Sequence, residues 1–259
     1  MYEITKLLEA VKDYSPVAVA FSGGVDSSVM AQVAYLANSN SIAVLVEDPS
    51  VSQAELNVAK DVANKIGIKF IIAKLEKRSE DYLRNDQMRC YFCKSQVYRE
   101  VKKVADFYNI KTILDGTNAD DVNDFRPGMK AAQELEVKSP LLDLGISKKQ
   151  VREMALEFGL PNHDKPSNPC LSSRIMHGIR VDASRLKRVE NAESFISGLL
   201  NIQILRVRDH GDTARIEVAK NELGKFNNEE TMQTIDLKLK ELGFREVVLD
   251  LDGYKSKSV

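Results

Sequence analysis

The sequence predicts an α/β fold: a parallel sheet covered by helices, followed by a smaller α+β unit. Three observations point to it. Apolar runs at 17–21, 42–46, 69–73 and 112–115 alternate with helical patterns, and such alternation builds parallel sheets with right-handed crossovers. The first run stops abruptly in Ser22-Gly23-Gly24-Val25-Asp26-Ser27-Ser28, where a helical pattern starts at once. From about residue 181 the order becomes helix–strand–strand–helix–strand, which suits a small antiparallel α+β domain.

Taken in order, residues 2–13 form an amphipathic helix with Ile4, Leu7, Leu8 and Val11 on one face. The strand at 17–21 and its helix follow. After the strand at 42–46, Ser52 caps a helix running to Gly67, with Glu55 placed to complete a capping box. The strand at 69–73 leads to a loop carrying Cys90 and Cys93, then a helix over about 95–108 and the strand at 112–115. Ser147-Lys148-Lys149-Gln150 starts a helix that stops at Gly159-Leu160-Pro161. Residues 160–180 lose periodicity and hold three of the seven prolines. The expected organisation is a domain over 1–165, a hinge and site loop over 166–180, and a small domain over 181–259. In the last, a helix over 183–200 precedes strands at 203–208 and 214–218, a helix to Leu242 and a strand at 246–250.

The stretch from Ser22 to Ser28 has the chemistry of an anion cradle. Two glycines let the backbone turn sharply and approach a ligand. A helix start offers unpaired N–H groups and a positive dipole end. The hydroxyls of Ser22, Ser27 and Ser28 add donors, so pyrophosphate suits the site. No Gly-Lys-Ser/Thr follows, which excludes Walker A, and a third glycine is missing for a dinucleotide fingerprint. A carboxylate is unfavourable at a phosphate site unless it holds Mg²⁺ or a backbone N–H, and Asp26 is assigned that part. Glu47-Asp48 and the run 116–121 fall at the same carboxyl edge, where such sheets bind ligands. The string from Ser22 to Ser28 resembles the PP-loop of ATP pyrophosphatases. That resemblance implies a Rossmann-like domain that cleaves ATP between the α- and β-phosphates and adenylylates an oxygen of its substrate.

Composition sets the outer limits. A chain of 259 residues with 43% apolar and 29% charged residues is that of a soluble globular protein. A net charge of −1 gives no global attraction to nucleic acid or an anionic membrane. No apolar run approaches a membrane span, and the start at Met1 reads as a helix rather than a signal peptide, so a cytoplasmic enzyme is expected. Three cysteines, an odd number, argue against a disulfide framework. Cys90-Tyr91-Phe92-Cys93 alone fits a redox dithiol, half a zinc site or iron–sulfur ligands. With Cys170 the set makes three thiolates, and Arg89, Lys94 and Arg174 are placed to stabilise negative charge on them. Arg206 and Arg208 alternate on one strand and so share a face, as an anion site requires.

The PP-loop, 89–94, 115–121, Arg126-Pro127-Gly128, 170–175, 206–208 and 214–218 together resemble the LarE family, in the family's order and over nearly the whole chain. The resemblance implies an ATP-dependent sulfur transferase of nickel-pincer nucleotide cofactor biosynthesis. Such enzymes adenylylate a pyridinium dicarboxylate mononucleotide and convert its carboxylates to thiocarboxylates. One subgroup sacrifices the sulfur of a single cysteine; another carries three cysteines and a [4Fe–4S] cluster, and Cys90, Cys93 and Cys170 match the second. On this reading ATP and Mg²⁺ are held by Ala20, Ser22, Gly23, Gly24, Asp26, Ser27, Gly116 and Asp121, with Asp120 a further nucleotide or Mg²⁺ contact. Asp26, Cys170, Arg206 and Arg208 carry the catalysis, Cys170 as a cluster ligand rather than a donor. A sulfide source and a homo-oligomer are implied. Two competing expectations are a [4Fe–4S] tRNA thiolase and a nucleotide or iron–sulfur sensor. Balanced charge and the absence of tryptophan count against the first, and the paired arginines against the second.

Overall fold

The central strand β1 (Val17–Ala20) has neighbours on both sides, and the site grows from its carboxyl end. The computed structural model describes residues 2–123, 127–166 and 168–254; Arg126 and the tail from 255 lie outside the described residues. The chain divides into two units, Met1–Ser79 with Cys90–Asn168, and Glu80–Arg89 with Pro169–Ser258.

In the first unit β2 (Ile42–Glu47), β3 (Lys69–Lys74) and β4 (Thr112–Leu114) join β1 in the order β3-β2-β1-β4. Every pairing is parallel, with Ala20 opposite Val44 and Val19 opposite Leu114. The helices of the chain to this point are α1 (Tyr2–Lys12), α2 (Val25–Ala37), α3 (Gln53–Ile66), α4 (Glu80–Leu83) and α5 (Arg89–Phe107). They are followed by α6 (Pro127–Glu134), α7 (Pro140–Asp143) and α8 (Lys148–Glu157). Alternation along β1 explains the layers. Val17, Val19 and Phe21 face a core shared with Leu7, Val29, Met30, Val33, Val62 and Val151. Ala18 faces the other way, into a core with Val44, Tyr98, Val101 and Ile113. Each fully buried Val or Leu contributes about 1.5–3 kcal/mol of transfer free energy. This is the expected Rossmann-like sheet. The strand order reverses between β1 and β4, so the ligand crevice of such a sheet opens at their carboxyl ends.

The expected Ser52 cap forms, but the capping box expected with Glu55 does not, since the Glu55 carboxylate accepts from Asn168 Nδ2 at 3.0 Å instead. Ser52 accepts from the Glu55 N–H at the start of α3, and Gly67 closes it in the left-handed region at φ 82°. Ser147 and Gln150 form a capping box at the start of α8. One boundary differs. The expected loop around Cys90 and Cys93 is the first turn of α5, entered through an Asp86 turn whose Oδ1 accepts from the Met88 N–H at 2.7 Å. No glycine or proline interrupts 86–107, and the mixed charges there blur the apolar period.

In the second unit α9 (Ala183–Leu200) and α10 (Glu229–Glu241) share a core with β5 (Leu205–Asp209), β6 (Thr213–Val218) and β7 (Glu246–Leu249). β5 and β6 are antiparallel, but β6 and β7 are parallel, so the expected antiparallel sheet is a mixed one. The cause is α10: a helical crossover returns the chain to the same end of the sheet, which makes the next strand parallel. Among the described residues no helix is long and apolar enough to cross a membrane.

Asp209 at the end of β5 is fully buried and accepts from Arg185 Nη1 at 2.9 Å and from Arg188 Nε and Nη2 at 2.8 and 2.6 Å. Removing one partner of a buried pair strands the other charges. Asp209→Ala is expected to lose about 3–5 kcal/mol of stability, read as a lowered midpoint in thermal and urea unfolding. A loss below about 1 kcal/mol, the exposed-pair range, would show that solvent already screens the pair.

Candidate active site

Gly23 turns at φ 72°, and a Cβ there would lie 2.9 Å from the Cα of Ala59. Gly24 is the N-cap of α2 and makes no side-chain capping bond, which leaves the helix start to a ligand. The loop is held by its own serines. Ser27 Oγ donates to the Gly24 carbonyl at 3.0 Å and accepts from the Ser22 N–H at 3.2 Å. Ser22 Oγ accepts from the Gly24 N–H at 3.3 Å. Ser28 is fully buried, and its hydroxyl donates to the Gly24 carbonyl at 2.8 Å. The expectation that all three hydroxyls serve a ligand is therefore corrected. Ser28 is part of the turn, because a buried hydroxyl needs an internal partner, while Ser22 stays exposed. Ala20, half-buried, ends β1 just below the turn.

The loop after β4 meets this turn. Gly116 lies so close that a Cβ would stand 2.7 Å from the backbone N of Ser27. Asp115 anchors the loop: its carboxylate accepts from Tyr98 Oη at 2.6 Å, Thr117 Oγ1 at 2.8 Å, Ser139 Oγ at 2.8 Å and the Thr117 N–H at 3.1 Å. Burial pushes the Tyr98 phenol well above its ordinary range, so it stays a donor. Asp26, in the first turn of α2, accepts from Asn118 Nδ2 at 3.2 Å and pairs with Lys148 Nζ. Asp121 accepts from the Asn118 N–H at 3.0 Å, and Asp120 from the Lys148 N–H at 2.8 Å. Gly116, Asp120 and Asp121 thus join the turn as expected neighbours. Lys148 and Asn118 are additions. Lys148 belongs to the capping-box helix, and its charge at a helix start, where acids are preferred, was the available signal.

Cys90 and Cys93 are half-buried and three residues apart on α5, a spacing that shares one helix face. None of the three cysteines is in a disulfide. In neither unit do three His, Cys, Asp or Glu side chains gather as a metal site among the described residues.

In the comparisons, the NAD synthase family model matches residues 3–100. An uncharacterized protein of Synechocystis is 38% identical over 92% of this chain and 89% of its own. The pyridinium-3,5-bisthiocarboxylic acid mononucleotide synthase of Lactiplantibacillus plantarum is 33% identical over 96% of this chain and 91% of its own. This chain belongs to the LarE family. It is therefore an ATP-using sulfurtransferase. The tRNA-specific 2-thiouridylase MnmA of Rickettsia felis is a more distant relative, 26% identical over 76% of this chain.

In the second unit of this LarE protein the segment after Cys170 is a short 3-10 turn, Leu171–Arg174, pinned from several sides. Arg174, 1% exposed, donates to the carbonyls of Pro169 and, at 3.3 Å, Cys170, and pairs with Glu193 at 3.0 Å. Arg208 donates to the Ser173 carbonyl at 3.0 Å and pairs with Glu217 at 3.0 Å. Arg89, the residue before Cys90, donates to the Ser172 carbonyl at 2.8 Å, and Tyr82 shares a hydrogen bond with Ser172 Oγ at 2.5 Å. Arg206 is 7% exposed, and its guanidinium stands 5.2 Å over the Tyr254 ring. Burial first, and then the like charge of Arg174, lower its pKa from the usual guanidinium range. Arg206 and Arg208 thus belong to a buried charge network that shapes the Cys170 segment. Glu193 is the member that the sequence does not suggest; Arg174 is expected only as a charge beside the cysteines.

Gly116→Ala must push α2 and the β4 loop apart, since the clash is with backbone. Expected are a fall of about 1–3 kcal/mol in stability and a loss of ATP turnover larger than that stability change explains. Wild-type turnover in a Gly116→Ala protein would show that the two loops do not act as one site.

Proposed function

We propose that the protein activates a carboxylate of a pyridinium-3,5-dicarboxylate mononucleotide with Mg²⁺-ATP and replaces the AMP by sulfur, giving a thiocarboxylate. One observation carries the substrate: the 33% identity over 96% of the chain to a synthase named for the bisthiocarboxylic product. The reading places the enzyme in the cytoplasm, as a homo-oligomer supplied with sulfide.

The residues divide the work as follows. The Gly23–Gly24 turn and the start of α2, Ser27 included, bind the β- and γ-phosphates with backbone N–H groups, to which Ser22 adds a hydroxyl. Asp26 and Asp121 are the carboxylates for Mg²⁺, and Lys148 neutralises Asp26. The donor set fits, because Mg²⁺ takes one or two carboxylates together with phosphate oxygens and water. A substrate carboxylate oxygen, already ionised at neutral pH, attacks the α-phosphorus. The bond from that phosphorus to the α–β bridging oxygen breaks, and pyrophosphate leaves with the electron pair. The product is an acyl adenylate, whose carbonyl carbon loses AMP to a sulfur nucleophile. Arg206 and Arg208 hold a substrate phosphate, a guanidinium fork matching its oxygens.

Cys90, Cys93 and Cys170 would hold a [4Fe–4S] cluster. What supports this is that none of the three is in a disulfide, all are half-buried, and Cys90 and Cys93 share a helix face. Held by these three cysteines, such a cluster would supply a site for exogenous sulfide. Arg89 and Arg174 fix the backbone around the third ligand.

Asp26→Asn is expected to cut AMP formation by about 10²-fold or more while the unfolding midpoint stays near wild type, because the side chain packs no core. Release of ADP and phosphate by the wild-type protein would overturn the assignment. With sulfide and the dicarboxylate substrate, several thiocarboxylates per chain are expected, with unchanged protein mass. Dehydroalanine at position 170 after turnover, seen by intact-mass and peptide mass spectrometry, would replace supplied sulfide by sacrifice of Cys170.

A further inference from the structure

Asn162 has no part in the roles assigned above. It follows α8 in a segment without periodicity, held by Arg152, whose Nη1 and Nη2 donate to the carbonyls of His163 and Lys165 at 2.9 and 2.8 Å. The residue is 4% exposed. Its Nδ2 donates to the Gly23 carbonyl at 2.9 Å and to Ser28 Oγ at 2.9 Å. Ser28 gives its single hydroxyl proton to the Gly24 carbonyl at 2.8 Å, so toward Asn162 it can only accept. That fixes the orientation of the amide. Turned over, Oδ1 would face the Gly23 carbonyl, acceptor against acceptor. In the fixed orientation Oδ1 is buried without a hydrogen-bond partner among the described residues. Orphaned buried acceptors are rare in native proteins, and each calls for a reason. Here the reason is the pair of bonds on the other side of the amide.

We propose that Asn162 is a positioning residue for phosphate binding, locking the Gly23–Gly24 peptide with its N–H toward the anion. A trans peptide is planar, and its C=O and N–H point in opposite directions. Holding the Gly23 carbonyl from behind therefore aims the Gly24 N–H to the front, where it now rests on Ser22 Oγ. The lock is needed because both residues of the peptide are glycines. Gly23 already stands at φ 72°, and glycine resists rotation least. A flipped peptide would present a carbonyl oxygen to the phosphates in place of an N–H. A donor to terminal phosphates acts in the ground state and the transition state alike, so its loss raises KM and leaves kcat nearly unchanged.

The inference rests on the ATP reading of the loop. Its test is calorimetric titration of the full chain with inorganic pyrophosphate, alongside ¹⁵N spectra in which the Gly24 amide is followed. Asn162→Leu keeps the side-chain volume without a donor or charge, and Asn162→Ala removes both volume and donor. In wild type, saturating pyrophosphate should move the Gly24 amide proton downfield. Both variants should bind pyrophosphate about tenfold more weakly or worse, with ATP KM raised by a similar factor, kcat within about threefold, and the Gly24 shift lost. A purely structural role would lower the unfolding midpoint and leave the affinity of the folded protein unchanged. Wild-type affinity in either folded variant overturns the proposal. Should neither variant fold, an unmoved Gly24 amide in wild type at saturation overturns it. Failure of wild type to bind pyrophosphate or ATP would remove the ATP reading itself, and this inference with it.

Discussion

Two backbones meet at the carboxyl edge of the parallel sheet with no side chain between them, and the candidate nucleotide site depends on that approach. Gly116 stands against Asp26 and Ser27 at distances that a methyl group would violate. Its glycine identity lets the loop after β4 lie on the first turn of α2. From there Asn118 reaches Asp26, and Asp120 takes the N–H of Lys148. Asp115 makes the approach rigid, because its four accepted hydrogen bonds leave the loop no alternative partner. A phosphate cradle built from N–H groups binds well only when those groups are aimed before the ligand arrives. Here the aim comes from packed glycines and buried bonds.

The second unit solves a different problem, holding a cysteine in a segment too short for a regular element. Leu171–Arg174 makes only one turn, so its shape must come from its neighbours. Arg208 and Arg89 donate to the carbonyls of Ser173 and Ser172, and Arg174 donates back to that of Cys170 just before the turn. Burying the guanidinium groups of Arg174 and Arg89, and partly that of Arg208, costs desolvation, offset by Glu193, Glu217 and the carbonyls themselves. The arrangement keeps positive charge close to Cys170, whose carbonyl takes a hydrogen bond from Arg174.

Local sequence made much of this visible. An apolar run, a glycine turn and an immediate helix are consecutive residues, so β1, the turn and α2 could be read together. The capping box of α8, the Ser52 cap of α3 and the four-strand alternation are legible for the same reason. Two local inferences about secondary structure missed. Cys90 and Cys93 lie in a helix because nothing between 86 and 107 breaks one, though charge obscured its period. β7 is parallel to β6 because the helix between them is a crossover.

By itself the sequence determined the fold class, the glycine turn at the start of α2 and the three thiols, since each rests on short-range pattern or residue chemistry. Tertiary structure alone decided which side chains complete the site. Lys148 meets Asp26 across 122 residues, and Asn162 meets Gly23 across 139. Neither has a local signature that names its partner: the charge of Lys148 at a helix start is out of place but points to no particular carboxylate, and an asparagine in a loop is ordinary where it stands. Only folding, which lays α8 against α2 and returns the chain to the turn, brings a cation to the carboxylate and an amide to the carbonyl. A hydrogen bond depends on distances of a few ångströms, and separation along the chain does not determine them.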